Sequence, residues 1–164
     1  MPGPTVVPVH GDADLPDRVD VVVIGGVIIG CATALELAER GVRVALCEKG
    51  GIGQEQSSRN WGWVRISRRD PREVPLMAES IRIWSDLDRR TGRETGYTRA
   101  GIVFTCPTDE EVGDYTRWLR HLDGLQLSSR IVDAAEFRRM YPDATIDVKG
   151  ALVTPVDGRA EPQK

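Results

Sequence analysis

Asp20-Val21-Val22-Val23-Ile24-Gly25-Gly26-Val27-Ile28-Ile29-Gly30 is the stretch whose reading decides the fold. Residues 20–24 are mostly β-branched and apolar, as in a parallel strand buried on both faces, and they run into Gly25-Gly26. From Val27 to Arg40 the pattern turns helical, with Ala32, Leu35 and Ala38 at helical spacing and Gly41 as the stop. Val42 to Cys47 then reads as a second strand ending in Glu48. Strand, glycine turn, helix, glycine and strand make a βαβ unit with a right-handed crossover.

The turn has the spacing of the dinucleotide fingerprint Gly-x-Gly-x-x-Gly, with Gly25 and Gly30 at the first and third glycine positions and Val27 at the second. In that motif the glycines give a tight turn, close backbone approach to a pyrophosphate, and close helix–strand contact. The helix N-terminus adds unpaired N–H groups and partial positive charge. An acidic residue at the end of the second strand is placed for ribose hydroxyls, and Glu48 stands there. Val27 is the departure. Its methyl groups are expected to point toward diphosphate space, and a positive φ at that position would add strain.

Outward from this unit, Met1 to Arg18 is Pro-rich and reads as a disordered leader. A loop rich in Gly, Gln and Ser fills 50–60, followed by Trp61-Gly62-Trp63-Val64-Arg65. Pro75 to Arg90 is predicted helical, with Met77, Ile81, Trp84 and Leu87 on one apolar face. Strands are predicted at 97–106, 130–132 and 150–153, and helices at 109–122 and, capped by Asp133, up to Tyr141. A doubly wound sheet needs further parallel strands, so an inserted domain or a chain cut short is expected.

The 164 residues carry 22 Lys+Arg against 25 Asp+Glu, a net charge of −3 that gives no electrostatic basis for general nucleic-acid binding. No apolar run is long enough for a transmembrane helix. The cysteines, Cys31, Cys47 and Cys106, fit neither a disulfide framework nor a zinc site, so a reducing cytoplasm is the expected compartment. Positive charge concentrates in the middle, where Arg65, Arg68, Arg69 and Arg72 form either an anion site or a solvated surface.

Asp20 through Arg65 resembles the FAD-dependent oxidoreductases of the D-amino-acid oxidase superfamily, which includes glycine oxidase, sarcosine oxidase and D-amino-acid dehydrogenase. The resemblance is carried by Val21 to Gly26, Ile28-Ile29-Gly30, the helix to Gly41, Val44 to Lys49, and the second signature Ser57 to Arg65. That second signature favours FAD over NAD. The resemblance implies an α/β fold: an FAD-binding Rossmann-like βαβ unit plus the beginning of an inserted α+β substrate domain. The expected division is a leader at 1–18, FAD-binding domain at 19–95, substrate domain at 96–154, and a return toward the FAD-binding domain at 155–164. It further implies cofactor contacts from Gly25, Gly26, Val27, Ile28, Ile29, Gly30, Glu48, Lys49, Ser57, Ser58, Arg59 and Asn60. Gly62 and Trp63 would lie near the isoalloxazine.

Function follows in two versions. The first is oxidation of the C–N bond of an amino acid or secondary amine by hydride transfer to flavin, with a small-molecule substrate and catalytic residues outside this stretch. The second is a truncated, non-catalytic chain that binds FAD weakly or not at all, with Val27 as the obstruction. Among other candidates, Trp84 and Trp118 are expected to pack helices onto sheets, and Trp61 and Trp63 have the stronger claim to a cavity. Cys31 and Cys47 are expected to be buried apolar fillers. His10 and His121 have no evident catalytic partners.

Overall fold

The computed structural model describes residues 5–125 and 127–164. The first four residues of the expected leader lie outside them; residues 5–19 carry no helix or strand. Contacts divide the chain into two compact units, Met1–Trp61 with Glu161–Lys164, and Gly62–Ala160.

The first unit holds the βαβ motif: β1 (Val21–Ile24), α1 (Ile28–Glu39) and β2 (Val44–Cys47). The strands are parallel, with Val21 opposite Val44 and Ile24 opposite Cys47. The helix ends as its sequence dictates. Gly41, at φ +79°, donates its N–H to the Ala38 carbonyl while Val42 donates to Leu37, closing the last turn with a left-handed residue. One expectation fails. Val22 and Ile24 are 56% and 88% exposed, so β1 is covered on one face rather than both among the described residues. The cause is that, among the described residues, β1 and β2 form a two-stranded sheet against which α1 packs.

The second unit contains β3 (Trp63–Val64), α2 (Val74–Thr91), β4 (Ile102–Cys106), α3 (Asp109–Leu119), β5 (Arg130–Asp133), α4 (Ala134–Met140), β6 (Gly150–Thr154) and β7 (Gly158–Arg159). An antiparallel sheet runs β4-β6-β5, and β3 pairs antiparallel with β7. The central β6 is buried throughout. On it converge Val132 and Phe137 in one cluster and Cys106 and Tyr115 in another. Helix starts follow local chemistry: Thr108 and Glu111 form a reciprocal capping box on α3, and Asp133 accepts the Glu136 N–H at 2.7 Å on α4.

Met77 and Ile81 of α2 pack on Ile66, Val74 and Leu122, while Trp84 stacks on Tyr97 with centroids 6.0 Å apart. Because α2 packs on Ile66 and Leu122, it groups with the residues after it. The compact units therefore divide at Trp61/Gly62, unlike the sequence division at 95/96. The strand predicted at 97–106 is broken by Gly101 at φ +72°, which leaves a separate Thr98–Arg159 bridge ahead of β4.

Candidate functional site

In the first unit the glycine turn is built from backbone. Gly25 takes φ +109°, a conformation side chains rarely adopt, and donates its N–H to the Cys47 carbonyl at 2.8 Å. Gly30 sits so close beneath it that a Cβ there would lie 1.7 Å from the Gly25 carbonyl oxygen. The Gly26 N–H donates to Glu48 Oε2 at 2.6 Å, and its carbonyl accepts from the Gly53 N–H at 2.7 Å. Glu48 Oε1 accepts the Gly50 N–H at 2.8 Å. These bonds, Gly26's first and then Gly50's, hold the Glu48 carboxyl below its ordinary range.

Val27 needs a correction. Its backbone is at φ −97° and ψ −175°, extended geometry open to any residue, so the valine adds no left-handed strain. Positive φ falls on Gly25 instead. Val27 is half-buried, and the Ile28 and Ile29 side chains beyond it are exposed.

The second signature reaches this turn. The Ile28 N–H donates to Ser57 Oγ at 2.9 Å. Asn60 Nδ2 donates to the Ser57 carbonyl at 2.6 Å, and Arg59 pairs with Glu55 at 3.5 Å. Ser58 is buried, and its carbonyl accepts from Gln163 Nε2 at 3.2 Å. Glu48, the glycine turn and Ser57 are thus brought together; Lys49, next to Glu48, is exposed. Gly62 and Trp63 belong to the second unit. There the Gly62 carbonyl accepts the Ala160 N–H at 2.8 Å, and Trp63 lies edge-on to Phe104 at 5.9 Å.

The first unit fits the diphosphate and adenosine portion of a dinucleotide. The opening turn of α1 presents amides that have no intrahelical acceptor, the Gly30 contact brings backbone close, and Glu48 keeps lone pairs for hydroxyl donors. Val27 is the one side chain standing where the pattern calls for none. Among the described residues no cluster could hold a metal ion, and no helix is long and apolar enough to cross a membrane. Of the cysteines, Cys31 is half-buried, with its Sγ 3.4 Å from the Gly26 carbonyl and its thiol pushed up by burial. Cys47, the last residue of β2, is exposed, contrary to the expected buried filler, while Val44 to Leu46 before it are half-buried.

The arginine cluster of the second unit splits. Arg72 pairs with Asp70 at 2.5 Å. Arg65 lies over the Trp63 and Phe104 rings at 5.8 and 5.6 Å, and Arg68 over Phe104 and Tyr115, each at 5.1 Å. Burial first, then the charge of Arg69, lowers the Arg65 pKa. Arg69 carries a buried Nε with no hydrogen-bond partner. Behind this segment Asp157 is fully buried and accepts the Ile66 N–H at 2.7 Å, the Ser67 N–H at 3.2 Å and the Ser67 hydroxyl. Sequence reading misses Asp157. Its only signal is the Pro155–Gly158 turn composition, which does not identify its partners.

The family model described as DAO, FAD dependent oxidoreductase, matches residues 20–164. Mouse mitochondrial sarcosine dehydrogenase is 31% identical over 163 residues, covering 98% of this chain and 18% of that protein. Glycine oxidase from Geobacillus kaustophilus is 29% identical over 150 residues, covering 87% of this chain and 40% of that protein. The structure of L-amino acid deaminase from Proteus myxofaciens superposes with a TM-score of 0.88 at 27% identity, covering 96% of this chain and 37% of that one. The chain therefore spans well under half the length of each of these proteins.

Proposed function

The chain belongs to the DAO family of FAD-dependent oxidoreductases, and from that premise we propose that it oxidises the C–N bond of an amino acid or secondary amine. FAD, the cofactor of this family, supplies when bound the two-electron acceptor for hydride from the carbon next to nitrogen. The residues of this chain bind and orient it. Backbone amides at the start of α1 hold the diphosphate over Gly25, Gly26, Val27, Ile28, Ile29 and Gly30. Glu48 takes the ribose hydroxyls, and Lys49, Ser57, Ser58, Arg59 and Asn60 line the approach. The family resemblance assigns Gly62 and Trp63 to the isoalloxazine end of the cofactor.

One observation carries this reading: Ser57 Oγ accepts the Ile28 N–H, joining the second signature to the glycine turn. The names of similar proteins, sarcosine dehydrogenase and glycine oxidase among them, support a small amine carrying a carboxylate as substrate. The half-buried Val27 favours a second reading, a non-catalytic chain with weak FAD affinity.

The test is equilibrium FAD titration, read by flavin fluorescence, on this chain, on Val27→Gly and on Val27→Gly with Glu48→Ala. Saturable binding by the parent or Val27→Gly chain, weakened about tenfold or more by Glu48→Ala, supports the site. Binding regained only in Val27→Gly supports the second reading. No saturable binding in either chain would overturn the assignment of these residues.

A further inference from the structure

The loop that carries Ser57 is held against strain. Glu55, two residues ahead, takes a left-handed backbone at φ +62°, which few side chains adopt without cost. Several hydrogen bonds close within the loop itself. The Ser58 hydroxyl donates to the Glu55 carbonyl at 3.4 Å, the Arg59 N–H to the Gln56 carbonyl at 3.3 Å, and Asn60 Nδ2 to the Ser57 carbonyl at 2.6 Å. Bonds of this kind shape a loop without deciding where it stands.

Longer bonds decide that. The Ile28 N–H reaches Ser57 Oγ across 29 residues, and Gln163 Nε2 reaches the Ser58 carbonyl across 105, at 3.2 Å. Ser58 is 3% exposed, so its carbonyl has little access to water, and a buried acceptor without a donor is destabilising. Gln163 is half-buried and belongs, with the rest of Glu161–Lys164, to the first compact unit. It sits on a turn of its own, in which the Lys164 N–H donates to the Glu161 carbonyl at 3.0 Å. The helix thus holds the Ser57 side chain, and Gln163 holds the backbone one residue further on.

We propose that Gln163 is a positioning residue for the cofactor site: by holding the Ser58 carbonyl it keeps Ser57 Oγ on the Ile28 amide, with the Ser57 hydroxyl proton left to donate to a diphosphate oxygen. A serine hydroxyl accepts and donates together, so the Ile28 bond does not exhaust it. The diphosphate rests on the function proposed above; the hold of Gln163 on the loop does not. Gln163 acts through Ser58 and Ser57, from the far end of the sequence.

The 15N-labelled chain tests this in two arms. The first uses no cofactor. Gln163→Glu puts an acceptor of the same length where the donor stood; the Ile28 amide signal shifts and exchanges with solvent about tenfold faster, while the β1 and β2 amide signals stay in place. Gln163→Ala carries this arm if Gln163→Glu does not fold. In the second arm FAD is titrated into whichever of the parent and Val27→Gly chains binds it. The Gln163 variant weakens FAD about threefold or more there, and adds no further loss once Ser57→Ala is present, whereas a through-space effect of the new charge would persist. An Ile28 signal unmoved in the folded variant, or equal FAD losses with and without Ser57, would overturn the proposal. Absence of FAD binding in both chains would overturn the function proposed above, and the first arm still decides the role of Gln163.

Discussion

Ser57 Oγ accepts the amide of Ile28 at 2.9 Å, across 29 residues of sequence. The first turn of α1 has no cap from its own N-cap residue, since Val27 has no side-chain acceptor. The loop supplies one. A helix whose opening amide is satisfied from a distant loop depends on that loop for part of its stability.

Ser57→Ala is therefore expected to destabilise the first unit by about 1 kcal/mol, the usual cost of a lost N-terminal cap. Urea unfolding followed by circular dichroism checks this. Equal midpoints for variant and parent would remove the capping role.

Gly30 and Gly26 are expected to differ sharply on substitution by alanine. At Gly30 the new Cβ meets the Gly25 carbonyl oxygen at 1.7 Å and its carbon at 2.9 Å, both backbone atoms. At Gly26 the nearest atom, at 2.3 Å, is the terminal Cδ1 of Ile52, which can rotate away. Gly30→Ala should cost about 3 kcal/mol or leave the unit unfolded, and Gly26→Ala about 1 kcal/mol. The same unfolding experiment separates them.

Glu48 and Asp157 give the two units opposite responses to pH. The folded Glu48 carboxyl lies below its ordinary value, so its contribution is present above about pH 4.3 and fades as pH falls through the lower folded value. Burial raises Asp157, so its contribution is full below the ordinary value and fades as pH rises through the raised one. Hydrogen exchange by mass spectrometry at several pH values should show residues 20–48 losing protection toward acid. Residues 150–160 should lose it toward neutrality. Glu48→Gln and Asp157→Asn should each flatten their own profile; a Glu48→Gln chain with an unaltered acid response would refute the first assignment.

Val27→Gly is expected to raise FAD affinity about tenfold or more while lowering stability by about 0.5–1 kcal/mol. The extended backbone at Val27 suits valine, and glycine there only adds unfolded-state freedom. Isothermal titration with FAD, together with urea unfolding, reads both effects. Affinity unchanged by the substitution would show that the valine does not obstruct the site.

The βαβ unit is legible from sequence because its signals are local: the apolar run at Val21–Ile24, the change of period after Gly26, and Gly41 at the stop. The caps at Thr108 and Asp133 act over three residues, which makes the Asp133 helix start equally readable. The β3–β7 pair has no such signature. Two residues show no period, and Trp63 meets Arg159 from the other end of the second unit. The partners of Asp157 are hidden for the same reason, lying 90 and 91 residues away. Val27 shows the converse limit: its identity is plain, but the folded backbone places positive φ on Gly25 instead.

Arg68 holds φ +57°, where glycine or asparagine would sit at less cost. That cost, about 1–2 kcal/mol, is matched in size by the cation resting on the Phe104 and Tyr115 rings, each 5.1 Å away. A library screened only for folding should therefore hold arginine, glycine and asparagine at position 68 in comparable numbers, because strain and ring contact offset each other.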